Sequence, residues 1–154
     1  MSIDEIIEYI ESLGGVLTQR PGPGDGTPEI AWGDAFFWYA PDGAAPAATQ
    51  PFATIVTKDY PGDDGSRLDR PDTFRVNVNA GRAAFIEWTG HTPRETRDHE
   101  TDPSVADTVF AHPVYSSAGW LAVVNPGAKT REPLRNLLRT AHERARAHYE
   151  RRAR

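Results

Sequence analysis

Five histidines, 22 acidic side chains and no cysteine are the chemical material of this 154-residue chain. His112 stands out, because it sits in "FAHPVYSSAGWLAVVNPG", residues 110–127, directly before Pro113. A following proline drives residue 112 into extended geometry. With carboxylates of the 98–107 loop as partners (Asp98, Asp102, Asp107), its imidazole would serve as a general acid or base. The alternative expectation is structural: a ring packed beside Trp120, with its nitrogens bonded to backbone. His91, His99 and His112 with the same carboxylates make a mixed set of metal-ligating type. No His-x-x-x-His or His-x-His pair occurs, so spacing pre-organises no centre, and the reading is no metal and no cofactor.

Other nucleophile chemistry finds little support. Absent cysteine excludes thiol catalysis and disulfides. No Gly-x-Ser-x-Gly is present, and Ser116-Ser117 has no neighbouring base. "PGPGDGTP" is followed by no Lys-Ser/Thr, so it is not a phosphate loop.

Aromatic residues offer more. Trp32, Phe36, Phe37, Trp38, Tyr39, Phe52, Tyr60, Phe85, Trp88, Tyr115 and Trp120 exceed what one sheet face needs for packing. They predict an apolar pocket with a few polar guests. The expected ligand-binding set is Trp38, Arg75, Asn77, His112, Tyr115 and Trp120, and the expected partner a small hydrophobic or aromatic molecule.

A third constellation is basic. Residues 129–154 hold nine Lys/Arg against three Glu, +6, whereas the first 128 hold eight against 19 acids, −11. Arg131, Arg135, Arg139, His142 and Arg146 recur at helical spacing, a stripe able to line a phosphate backbone. The acidic body argues against nucleic acid as a partner, and docking of the basic segment onto that body is the favoured expectation.

These side chains need a scaffold, and length and composition predict one domain over residues 1–154 with a full core. The N-terminus is too charged for a signal peptide, and no apolar run reaches membrane-spanning length. The expectation is a cytoplasmic protein with no membrane contact, compatible with a homodimer.

Ser2 and Glu5 suggest a capping box opening a helix over residues 2–13, with Ile3, Ile6, Ile7, Ile10 and Leu13 as its apolar face and Gly14-Gly15 as its end. Strands are expected at 16–19, at "AFFWY", at "FATIVT", at "TFRVNVNAG" and at "GWLAVVN". In "AFFWY", Phe36 and Trp38 share one face and Phe37 and Tyr39 the other. In "TFRVNVNAG", Phe74, Val76 and Val78 oppose Arg75, Asn77 and Asn79. A short helix is placed near 82–89, a helical turn near 103–109, and a long helix at about 131–152 with Leu134, Leu137, Leu138, Ala141 and Ala145 as its stripe. Mobile turn-rich segments are expected near 20–28, 41–51, 59–72 and 90–108. The order predicts an α+β fold: a twisted, mostly antiparallel sheet with the N-terminal and long C-terminal helices packed on one face.

"GDAFFWYAPDG", "PFATIVT", "LDRPDTFRVNVNAG", "AHPVYSSAGWLAVVNPG" and "LLRTAHERARAHYERR", in this order, resemble a domain-of-unknown-function family of actinobacteria over nearly the whole chain. Segment 20–30 is the least typical. The resemblance implies that Phe74, Arg75, Asn77, His112, Pro113, Tyr115, Gly119 and Trp120 are recurring positions. More loosely, the glycine-tryptophan strand before a terminal helix is similar to the MmcQ/YjbR-like double-wing family, which implies a frataxin-like α+β layout and an association with DNA. Three functions follow. The first is a non-enzymatic small-molecule-binding or protein-interaction domain with an aromatic-lined pocket. The second is a DNA-associated protein using Arg131, Arg135, Arg139 and Arg146. The third is a small enzyme with His112 as acid/base.

Overall fold

The structure, a computed structural model, describes residues 1–95 and 101–153. The first helix, α1 (Ile3–Ser12), begins as its sequence dictates. The Ser2 hydroxyl accepts the Glu5 amide at 3.1 Å while the Glu5 carboxylate accepts the Ser2 amide, satisfying two donors that no helical carbonyl reaches. Gly14 and Gly15 then turn the chain at φ +91 and +65. A Cβ on Gly15 would lie 2.7 Å from the Tyr39 ring, so glycine is required there twice over.

Six strands follow in an open sheet: β1 (Val16–Gln19), β2 (Ala35–Tyr39), β3 (Ala53–Val56), β4 (Arg75–Val78), β5 (Val109–Ala111) and β6 (Leu121–Val124). Their spatial order is β1-β2-β3-β4-β6-β5, and every neighbouring pair is antiparallel. Two further helices are α2 (Arg82–Thr89) and α3 (Arg131–Arg152). This is the α+β architecture expected from the sequence.

One face of the sheet carries the main core. Phe37, Ala53, Ile55, Val76, Val78, Leu121 and Val123 pack against Ile6 and Ile10 of α1, Phe85 of α2, and Leu134, Leu137, Leu138 and Ala141 of α3. Both terminal helices therefore lie on that face. Burying each large aliphatic side chain stabilises the fold by about 1.5–3 kcal/mol. The opposite face is also covered. Segment 57–73 folds across it, bringing Leu68 and Tyr60 onto Val56, Phe110, Ala122 and Val124. All four residues of β4 are buried in consequence.

One expectation is corrected. The helical turn near 103–109 does not form: Asp107 takes φ +54, Ala106 bridges to Val124, and Val109–Ala111 becomes an edge strand on β6. The hairpin closes where the His112 amide donates to the Trp120 carbonyl at 3.0 Å. Three residues are too few to show a period-two pattern, which hid this strand. Asp107 instead caps α3 from a distance. Its carboxylate accepts the amides of Gly127, Lys129 and Thr130 and the Thr130 hydroxyl. Burial pushes this carboxyl up, but those four donors outweigh it and hold it at about 2.

Candidate functional site

Three of the six expected ligand-binding residues, Arg75, Asn77 and His112, are buried together on the covered face, and Tyr115 lies exposed beside the His112 ring. Arg75 is buried at the centre of that face, with every guanidinium N–H aimed at a neighbour. Nε donates to Asn77 Oδ1 at 2.8 Å, and Nη1 to Asp63 Oδ1 at 2.9 Å and Ser66 Oγ at 3.0 Å. Nη2 donates to Asp63 Oδ2 at 2.6 Å and faces His112 Nε2 at 3.1 Å. Asn77 passes the network on to Thr54 Oγ1 at 2.9 Å. Strand alternation sets this up, since placing Val76 and Val78 in the main core turns Arg75 and Asn77 to the other side. The bidentate arginine–carboxylate pair ties the covering segment to β4 through Asp63.

His112 belongs to the same network. Its ring is 3% exposed and lies 5.0 Å from the Tyr115 ring. Nδ1 faces the amides of Val114 and Tyr115, each at 3.0 Å, and Nε2 faces Arg75. Three donors thus converge on a neutral ring that offers one lone pair. A second proton worsens the mismatch on either nitrogen. Burial is the largest cause, Arg75's charge the next, and against the opposing pull of Asp63 they bring this imidazole down to about 3.

The carboxylate beside the ring corrects a second expectation. It is Asp63, at 4.0 Å, from the segment after β3, and not a residue of the 98–107 loop. Burial pushes Asp63's carboxyl up, but Arg75's hydrogen bonds and charge overcome it and hold it below the ordinary range. Asp107 caps α3, Asp102 accepts the Ser104 amide and hydroxyl, and Asp98 and His99 lie outside the described residues. His91 packs edge-on to Phe85. Among the described residues no three His, Asp or Glu side chains stand close enough to share a metal ion.

Asp34 shows how the covering segment is fixed at its start, a role no motif announced. It is fully buried. Its carboxylate accepts the Thr57 amide and hydroxyl at 2.9 and 2.8 Å, the Lys58 ammonium at 3.1 Å and the Tyr60 hydroxyl. Burial, with Asp34 beside it, pushes the Tyr60 phenol up.

Trp38 lies apart from the Arg75 network and lines a cleft of about 640 Å³. The walls are Trp38 and Tyr39 of β2, residues 46–52, and the second half of α3 from Ala141 to Ala153. The α3 stripe explains why space opens here. Leu134, Leu137 and Leu138 fill the core, after which the stripe continues as Ala141 and Ala145, whose short side chains leave the sheet unfilled. Tyr149 packs edge-on to Tyr39 at 5.4 Å, Phe52 supplies a buried aromatic wall, and Trp38 Nε1 donates to the Thr49 carbonyl at 2.9 Å to hold the loop. Trp120 is half-buried just before β6, its carbonyl bonded to His112.

The arginines proposed for phosphate contact are engaged within the chain. Arg131 pairs with Glu5 at 3.6 Å, Arg135 with Glu132 at 3.3 Å and Arg146 with Glu150 at 2.9 Å. Arg135 also stacks over Tyr9 at 5.3 Å, Arg139 donates to Asn136, and His142 is buried with Nε2 2.7 Å from the Gly14 carbonyl. The cleft uses different basic residues of α3, namely Arg144, His148, Arg151 and Arg152. Sequence reading missed these because it followed the longest regular stripe.

The chain belongs to the Family of unknown function (DUF6194), whose model matches residues 1–154. No curated protein and no solved structure matches it. A domain of unknown function spanning the chain is therefore the part of the expected resemblance that holds.

Proposed function

We propose that this member of the DUF6194 family is a small-molecule-binding domain that takes an apolar or aromatic molecule in the cleft between α3 and the 46–52 loop. One observation carries the reading: a cleft of about 640 Å³ walled by Trp38, Tyr39, Phe52 and Tyr149, opened by a change from leucine to alanine along α3. Ligand pockets of small molecules fall in the range of roughly 300–1,000 Å³ and combine aromatic walls with a few polar groups. Binding is favoured over bond-making because no carboxylate stands among the described residues that line the cleft to serve as an acid or base or to orient one. His112 keeps a structural part, holding the β5–β6 turn and the covering segment. A non-enzymatic role uses the expected residue Trp38 directly and leaves Arg75, Asn77, His112 and Tyr115 as the frame.

The test is a fluorescence titration with N-phenyl-1-naphthylamine, an uncharged aromatic probe that brightens on leaving water. The reading expects a saturable rise in the wild-type protein, lost in Ala145→Leu at unchanged melting temperature. A flat titration, or an equal rise in the filled variant, contradicts it.

A further inference from the structure

We propose that the ligand of this cleft is an organic anion: an aromatic or apolar body bearing a sulfonate, phosphate or carboxylate head that is held by Arg144 and Arg152. The inference rests on the binding reading above and adds the charge of the ligand. Its ground is a contrast between two sets of arginines on one helix. Away from the cleft, Arg131, Arg135 and Arg146 each face a glutamate of this chain and Arg139 donates to Asn136. Arg144, Arg151 and Arg152 all line the cleft, and none pairs with a carboxylate among the described residues. In a chain of net charge −5, three arginines that pair with no carboxylate among the described residues thus line one aromatic-walled cleft.

The partners these arginines do have are neutral. Arg152 donates from Nη1 to Thr49 Oγ1 at 2.5 Å and from Nη2 to the Ala47 carbonyl at 3.4 Å, spanning from the helix end to the loop. Arg144 reaches the Asn79 carbonyl at 3.4 Å. Its guanidinium lies over Gly81, where a Cβ would stand 2.6 Å from Nε, so glycine at 81 lets the arginine lie flat against the backbone beside the cleft. Arg151 and Arg152 also sit where the α3 dipole favours cations. That end carries only about half an elementary charge, and Arg144 lies two turns earlier, so the dipole does not account for the set. An anionic oxygen replacing a hydroxyl or a distant carbonyl would form charge-assisted hydrogen bonds, roughly twice as strong as neutral ones. The aromatic walls would cover the rest of the molecule, and the absence of a lining carboxylate among the described residues removes the group that would repel it.

A matched probe pair separates this claim from the one it rests on. 8-Anilinonaphthalene-1-sulfonate and N-phenyl-1-naphthylamine share one aromatic skeleton and differ by the sulfonate. Titrating both into the wild-type protein, Arg144→Gln and Arg152→Gln, with melting temperatures measured alongside, reads the contribution of charge. The expected result is binding of the sulfonate about tenfold tighter than of the neutral probe, the scale of one charged hydrogen bond. That preference should collapse in either variant and weaken with added salt. Equal binding of the two probes overturns the anion assignment while leaving the binding reading intact. A preference for the sulfonate that survives both substitutions overturns the assignment to these arginines. If neither probe binds, both claims fall.

Discussion

Acid should begin to destabilise this protein below about pH 6.5, and His112 is the reason. In the unfolded chain the imidazole takes a proton near 6.5; in the native network it is held down to about 3. Between those values the unfolded state binds a proton that the folded state refuses, so stability falls as pH falls. The slope is about 1.4 kcal/mol per pH unit, giving roughly 2–3 kcal/mol between about pH 6.5 and about pH 4.5. The carboxylates held low, Asp63 and Asp107, contribute stability that is lost only at still lower pH, so they leave this window to histidine. Urea unfolding across that range should be compared between wild type and His112→Asn, whose side-chain oxygen can still accept the amides of Val114 and Tyr115. The other histidines are common to both proteins, and the difference in slope isolates His112. Identical slopes would refute the donor-crowded ring, and a wild type that gains stability on acidification would reverse the sign.

Arg75→Met should cost about 3–5 kcal/mol in urea unfolding, because it leaves Asp63 as an uncompensated charge under the covering segment. Arg139→Gln, on the exposed face of α3, should stay within about 0.5 kcal/mol in the same assay. Asp107→Ala removes the carboxylate that receives three amides of the 127–130 turn leading into α3, at a cost of about 1–3 kcal/mol. Hydrogen exchange should place the loss in that turn. The wild-type share of this cap is present above the ordinary carboxylate pKa and is lost as pH falls through about 2. Gly81→Ala, at φ +93 and under the Arg144 guanidinium, should lower the melting temperature and weaken binding of the anionic probe together.

The long periodic elements were legible in the sequence because period and capping chemistry agree there. Ser2, Glu5 and the isoleucines of α1 point to the same helix, and the alternation in "TFRVNVNAG" placed Arg75 and Asn77 opposite the core. It could not reveal Asp63 as their partner, because an aspartate in "YPGDDGSRL" reads as a solvated turn until the segment is seen to fold over the sheet. Asp34 and Asp107 were hidden likewise, since a tertiary cap has no local motif. The cleft was half visible. Trp38 and the alanines of α3 were noted, but the arginines that line the cleft lie off the regular stripe, and only the packing of Ala141 and Ala145 shows which side of the helix faces the opening.

Nuclear magnetic resonance mapping of N-phenyl-1-naphthylamine onto the labelled protein tests the central claim most directly. Amides of the 46–52 loop and of residues 141–153 should shift together and saturably, while those around Arg75 and His112 stay in place. Shifts centred on the Arg75 network, or none at saturating probe, would contradict the account.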